Sequence, residues 1–230
     1  MRKLALLLLP FLMLSCAKKE LKIPTLAEKG IQEIQNHSQV WLFFEVKNND
    51  TIAVVNRKNT ISTTHWIYNI DKRLPLKTII PFVITLQDKH ANSMHSEKGM
   101  HDYFSYSDTI SKKLSFLAFD GVIFLNDGLL SKQFIEAHKT DYLNYNNINL
   151  VFNKNKIWIN DVETDKSNFK TTLSAILAIS PEDQKLMLHL NFNQNLLYQD
   201  YLFYRTIINA IGTKNILINH NEFIFNENKV

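Results

Sequence analysis

The sequence predicts an α+β protein of two small mixed sheet-plus-helix domains, the second with the element order ββαβαβ. Three observations carry this reading. A hydrophobic content of 45% with 15 Phe, 8 Tyr and 3 Trp is enough to bury a packed core and excludes a disordered chain. Apolar runs of strand length, separated by Asn-rich turn clusters, recur along the chain. Between them lie segments whose apolar residues fall at helical spacing. At 230 residues the chain has room for one sizeable core or two small ones. With only 5 Gly and 5 Pro, no Gly-rich phosphate loop can be assembled, so neither a nucleotide nor another cofactor is implied.

The first element is an address. Met1-Arg2-Lys3 is followed by the apolar run Leu4 to Leu14 and then Ser15-Cys16. That run is too short to cross roughly 30 Å of hydrocarbon and has the layout of a secretory signal, residues 1–15. The only cysteine of the chain stands directly after it, so no disulfide can form. Met13-Leu14-Ser15-Cys16 resembles a bacterial lipobox, with Met13 where Leu is usual, and this implies lipidation at Cys16. A lipid-anchored tether over 16–38 follows, with a short helix expected at Thr25–Gln35. Removing Arg2 and Lys3 from the 26 basic side chains leaves 24 against 22 acidic ones, a net charge of +2. A nearly neutral chain without a basic stripe gives no expectation of nucleic-acid binding.

The N-terminal domain, 39–140, opens with a hairpin. Val40 to Val46 and Thr51 to Val55 are strand-like runs around the turn cluster Lys47-Asn48-Asn49-Asp50. A third strand is read over Thr60–Ile70. From Leu76 the spacing of Ile79, Ile80, Val83 and Leu86 is helical, with Pro81 inside the helix. Residues 88–109 are polar and without period, and read as a long surface loop. Core composition returns at Leu114–Phe119 and Val122–Leu125, then a short amphipathic helix at Gly128–His138. Asp141 to Asn147 reads as the linker between domains.

The second domain, 146–226, begins with a hairpin, Ile148–Phe152 and Lys156–Asn160. A helix around Phe169, Leu173, Ile176 and Leu177 stops before Ser180-Pro181. Lys185–Phe192 is a strand, Tyr198–Ile211 a helix capped by Gly212, and Asn215–Asn219 a closing strand; Glu222–Phe225 adds an edge. The expected core is Leu150, Phe152, Ile157, Ile159, Leu173, Ile176, Leu188, Leu190, Leu202, Ile207 and Ile216.

This order, with the turn Asn193-Gln194-Asn195-Leu196-Leu197-Tyr198, resembles the periplasmic domain of the ExbD/TolR family over about residues 146–220. The family's strand ends in a D-K-x-V-x-Y-like turn; here the hydrophobic position and the Tyr are kept and the Asp-Lys pair is not. The resemblance implies a periplasmic binding role. The family's membrane helix with its acidic residue has no counterpart in residues 4–14, so no part in proton passage is expected. At an ungapped offset of 122, Tyr68-Asn69-Ile70-Asp71-Lys72-Arg73-Leu74-Pro75-Leu76 aligns with Leu190 to Tyr198, and a helix follows in both. Only Asn56 to Asn59 separate the first hairpin from its third strand, so the duplication is incomplete.

Chemistry-bearing residues are few. Asp88, His90, His95, Glu97, His101 and Asp102 fall close together, but their spacings match no compact zinc motif, and solvated histidines are the expectation. His65 and His189 are read as satisfied strand histidines, and Trp41, Trp66 and Trp158 as core. No catalytic residue, metal or cofactor is assigned. The function expected is that of a non-enzymatic cell-envelope lipoprotein facing the periplasm. Its partner is another protein or the cell wall, with homodimerisation an option. Asp71, Lys72 and Arg73 are expected as exposed partner contacts, and Lys156–Asn160 and Glu222–Phe225 as open sheet edges. The competing reading is a metal-binding or hydrolytic periplasmic enzyme using His90, His95 and His101.

Overall fold

A computed structural model describes residues 20–93, 99–180 and 184–229. Cys16, the signal segment, His95 and Glu97 lie outside the described residues. The architecture is mixed α and β, with two six-stranded sheets and five helices. The first sheet contains β1 (Thr25–Leu26), β2 (His37–Lys47), β3 (Asp50–Asn56), β4 (His65–Ile70), β5 (Asp102–Asp108) and β6 (Lys113–Ala118). Its order is β1-β5-β4-β2-β3, with β6 added on β5. Asn48 and Asn49 take φ of 51° and 65°, the left-handed pair that a two-residue hairpin turn requires, and Asn tolerates that region better than other side chains with a Cβ. Helix α1 (Leu76–Ala91) contains Pro81 at an exposed position and buries Leu76, Ile79, Ile80, Val83 and Leu86.

The second sheet runs β10-β9-β8-β11-β12-β7, from β7 (Ile123–Gly128), β8 (Asn146–Phe152), β9 (Ile157–Ile159), β10 (Val162–Thr164), β11 (Leu186–Asn193) and β12 (Ile216–Phe225). Helices α4 (Phe169–Ala178) and α5 (Tyr198–Ile211) contribute to its core, and α2 (Ser131–Ala137) and α3 (Lys139–Tyr142) send Ser131 and Tyr142 onto β11 and β12. Of the expected core residues only Ile176 and Ile216 are half-buried; the rest are fully buried.

The offset of 122 is realised in space. β4 and β11 occupy equivalent places, each parallel to the first strand of a hairpin on one side and to the strand after its helix on the other. Asn69 and Asn191 sit at matched positions, each sending Nδ2 to the carbonyl two residues back and to the neighbouring strand. Asp71 and Asn193 then close identical turns, capping the N–H of Arg73 and of Asn195. The two turns pair with each other. Leu76 N–H donates to Leu196 O (2.9 Å) and Tyr198 N–H to Leu74 O (2.8 Å), while Lys77 N–H donates to Gln194 O and Gln199 N–H to Lys72 O. Replacing each residue of a bond by its equivalent 122 positions away, 76 by 198 and 196 by 74, turns one bond into the other, so the copies are related by a local two-fold at the Pro75–Leu197 bridge. One continuous hydrophobic cluster runs from Leu26 in the first unit to Ile224 in the second.

Several expectations change. Residues 20–36 are no free tether and form no helix: Leu26 is buried, β1 pairs with β5, and Ile31 bridges Phe116. The third strand starts at His65, because Ile61 to Thr64 form a turn in which the N–H and hydroxyl of Thr64 donate to Ile61 O, while Ile61 N–H donates to Ser38 Oγ. The described part of the polar stretch 88–109 is not one long surface loop; it holds the end of α1 and the whole of the buried strand β5. Strand β7, read as part of 39–140, pairs with β12 in the second sheet. Neither expected edge is open: Asn160, at φ 51°, helps return the chain as β10 over β9, and Glu222–Phe225 lies inside the sheet between β11 and β7. Asn219 to Asn221 are a register slip within one strand rather than the gap between two.

Glu222 is wholly buried, takes a 2.7 Å ion pair from Arg205 Nε, and accepts a hydrogen bond from Tyr201 OH. Both partners lie on α5, so this ion pair ties helix to strand inside the core. Glu222→Ala leaves Arg205 charged and unpaired and should cost about 3–5 kcal/mol in denaturant unfolding. Arg205→Met with Glu222→Leu should recover most of that loss.

Candidate functional site

The turn Asp71-Lys72-Arg73 is built inward. Asp71, expected to be exposed, is fully buried, and its carboxylate takes the backbone N–H of Lys22 and Arg73 and a two-point contact from the Arg73 guanidinium at 2.8 and 2.7 Å. Burial pushes this carboxyl up, but those hydrogen bonds outweigh it and hold it below the ordinary carboxylate range. Arg73 also lies 4.3 Å over the Phe44 ring. Asp71 and Arg73 therefore hold the turn of the first unit, and only Lys72 and part of Arg73 face solvent.

The histidines divide into two groups. His90 is buried at the end of α1, with Nδ1 2.8 Å from Asp102 and Nε2 3.0 Å from Thr64 O, and its ring stacks on Trp66 at 4.2 Å. The Thr64 carbonyl can only accept, so Nε2 carries a proton, and Nδ1 shares one with Asp102, whose carboxyl burial pushes above its ordinary range. Burial opposes charge on the ring, but the Asp102 carboxylate and the carbonyls of Thr64 and Ser62 prevail and raise its pKa above the usual 6.5. With both nitrogens engaged inside the fold, neither is turned toward a metal or a substrate. A cavity of about 540 Å³ adjoins it, lined by Ile84, Gln87, Asp88, Asp120, Val122 and Phe124 among others, but by no Ser, Thr, Cys, Lys or Tyr among the described residues.

Sequence reading missed the second group because only strand register creates it. His37 pairs with His65 across β2 and β4, and His101 stacks on His65 with centroids 5.5 Å apart. Each is engaged: His37 Nδ1 with Ile34 O, His65 Nδ1 with the His101 N–H, and His101 Nδ1 with Asp120. Burial, then the charge of His101, lowers the His65 pKa. Among the described residues no group of three or more His, Cys, Asp or Glu side chains forms a metal site. So His90 and His101, grouped by sequence, bind different carboxylates, Asp102 and Asp120. His189 is a satisfied strand histidine, placed between Asn147 Oδ1 and Asn219 Nδ2, and burial lowers its pKa to about 4. Trp66 is core, while Trp41 and Trp158 are half-buried.

The remaining candidate is the sheet perimeter. β10 is three residues long, β6 is covered by the Ile31 bridge to Phe116, and the pairing of β7 is broken by a register shift. Strand β3 differs from all three. It is seven residues long, every one of Thr51 to Val55 is half-exposed, and among the described residues β2 is its only neighbour in the sheet. In a two-residue hairpin closed by Lys47 and Asp50, the main chain of Asp50, Ile52, Val54 and Asn56 faces β2. Thr51, Ala53 and Val55 thus direct their N–H and C=O groups outward. No Pro, Lys or bulge interrupts the strand, the usual guards of such an edge. Its outer face carries Ile52 and Val54 beside Phe43, which is stacked with Trp41; Asp50 stands at one end and Arg57-Lys58 at the other.

Comparison with protein-family models, with curated proteins and with solved structures finds no match. Among the described residues no helix is long and apolar enough to cross a membrane.

The two buried histidines should give pH signatures of opposite sign. The raised pKa of His90 makes its stabilisation complete below about pH 6.5 and lost as pH climbs through the folded value. The lowered pKa of His189 makes its contribution complete above about pH 6.5 and lost as pH falls toward 4, at about 3 kcal/mol. Urea unfolding of wild type, His90→Gln and His189→Gln at several pH values should show the first difference shrinking above neutrality and the second shrinking in acid.

Proposed function

We propose that this chain is a non-enzymatic binding module of the bacterial cell envelope, anchored by lipid at Cys16 and facing the periplasm. It takes up a protein partner by adding a strand at the open edge of β3. The observation that carries the reading is the outward main chain of Thr51, Ala53 and Val55, on a long edge with none of the protections given to the other edges. Strand addition uses main-chain hydrogen bonds, which fits a chain whose buried carboxylates and histidines are already engaged by neighbouring groups of the fold. A relation to the periplasmic part of the ExbD/TolR proteins is part of this proposal; the β8-β9-α4-β11-α5-β12 order of residues 146–226, interrupted only by short β10, supports it.

The test is recovery of partners from native membranes after crosslinking. Ala53→Pro removes an N–H that faces away from β2, so the sheet should survive, with thermal stability nearly unchanged, while strand addition fails. Recovery should fall at least tenfold with Ala53→Pro and be unaffected by His101→Ala. Dependence on His101 with indifference to Ala53 would reverse the assignment. Separately, Cys16→Ala should release the protein from membranes and stop its labelling by a fatty-acid probe; unchanged attachment would remove the envelope anchor from the proposal.

A further inference from the structure

The β3 edge is complementary to itself. Its outward-facing residues Thr51, Ala53 and Val55 are placed symmetrically about Ala53. Its ends carry opposite charge, with Asp50 before the strand's apolar centre and Arg57-Lys58 after it. An antiparallel partner with the same sequence, related by a two-fold through Ala53, sets Ala53 opposite Ala53 and Thr51 opposite Val55. Every free N–H and C=O of those residues then meets its complement. Ile52 falls opposite Val54 of the second copy on the outer face, extending the half-buried strip of Trp41 and Phe43 into one apolar surface. Asp50 falls opposite Asn56 and beside the Arg57-Lys58 end of the second copy. A parallel partner would instead align like charges at both ends, which is unfavourable.

We propose that the occupant of this edge is a second copy of the same chain, paired β3 to β3 in antiparallel register across a two-fold at Ala53. The proposal rests on the strand-addition reading above and names its partner. The interface is isologous, so it closes as a dimer and leaves no further β3 edge for growth into a fibre. The two first sheets become one continuous sheet across the dimer axis. The second sheets, with their short and interrupted edges, take no part.

Sedimentation equilibrium of the full chain in detergent tests this. Wild type should be a concentration-dependent dimer and Ala53→Pro a monomer. Val54→Lys, which alters a half-exposed side chain and leaves the hairpin hydrogen bonds in place, serves as the second disrupting variant and should also be monomeric. Because each contact occurs twice across the two-fold, Asp50→Lys should weaken the dimer by roughly fivefold to tenfold, and adding Arg57→Asp and Lys58→Asp should restore it. Two outcomes overturn self-pairing. In the first, wild type stays monomeric while partner recovery from membranes remains sensitive to Ala53→Pro; strand addition then stands, with a different protein as occupant. In the second, a dimer persists in both Ala53→Pro and Val54→Lys, which places the contact elsewhere. Loss of partner sensitivity to Ala53→Pro would defeat the strand-addition reading as well.

Discussion

The antiparallel bridge between Pro75 and Leu197 is the constraint on which the rest of the molecule depends. Four main-chain hydrogen bonds, in two pairs exchanged by the local two-fold, join the first turn of α1 to the first turn of α5. Around that point Leu74, Leu76, Leu196 and Tyr198 are all buried, so the helices enter one shared core from opposite sides. The turns that present these residues are themselves fixed by Asp71 and Asn193. Because Asp71 is also held by Lys22, even the position of β1 is tied to the same place.

The buried charges follow from this plan. Two sheets sharing a core leave few positions where a polar side chain can reach water, so most find a partner inside, the Tyr68, Ser115 and Tyr198 hydroxyls being exceptions among the described residues. His90 with Asp102, Arg205 with Glu222, and His189 between two asparagines are three such solutions, located at the junction of a helix end with a strand, along a helix face, and between a strand and its cover. The two histidines have both ring nitrogens engaged in this way, whereas Arg205 keeps one buried guanidinium nitrogen without a hydrogen-bond partner.

Hairpins, α1, α4 and α5 were legible because their apolar periods are clean, and the duplication was legible as a nine-residue alignment. What was not legible is instructive. Strand β5 reads Asp-Tyr-Phe-Ser-Tyr-Ser-Asp, and its polar letters suggest surface. Yet Asp102 serves His90, Ser105 serves Asn69, and Asp108 caps Ile110 and Ser111, so the strand is buried on both faces by satisfying its polar groups internally. The edges were misassigned for a related reason. Whether a strand is terminal depends on which distant segment lies beside it, and β7 and β10 are too short or too polar to announce that they cover β12 and β9. The histidine row of His37, His65 and His101 spans 64 residues of sequence and exists only through register.

The second unit carries α4 between its hairpin and its central strand, and the first unit has only a short link from Asn56 to His65 in the same place. That difference is available to a chain that encodes its two like halves separately. In a dimer of identical subunits every change in sequence is made twice, so a helix that shields one hairpin shields both. Where the two halves are encoded separately, one hairpin can lie under a helix of its own while the other packs its inner face, through Phe44, Ala53 and Val55, directly on the common core. Fusion thus converts a symmetric body into one with a front and a back, and divergence can tune the front without loosening what lies behind it.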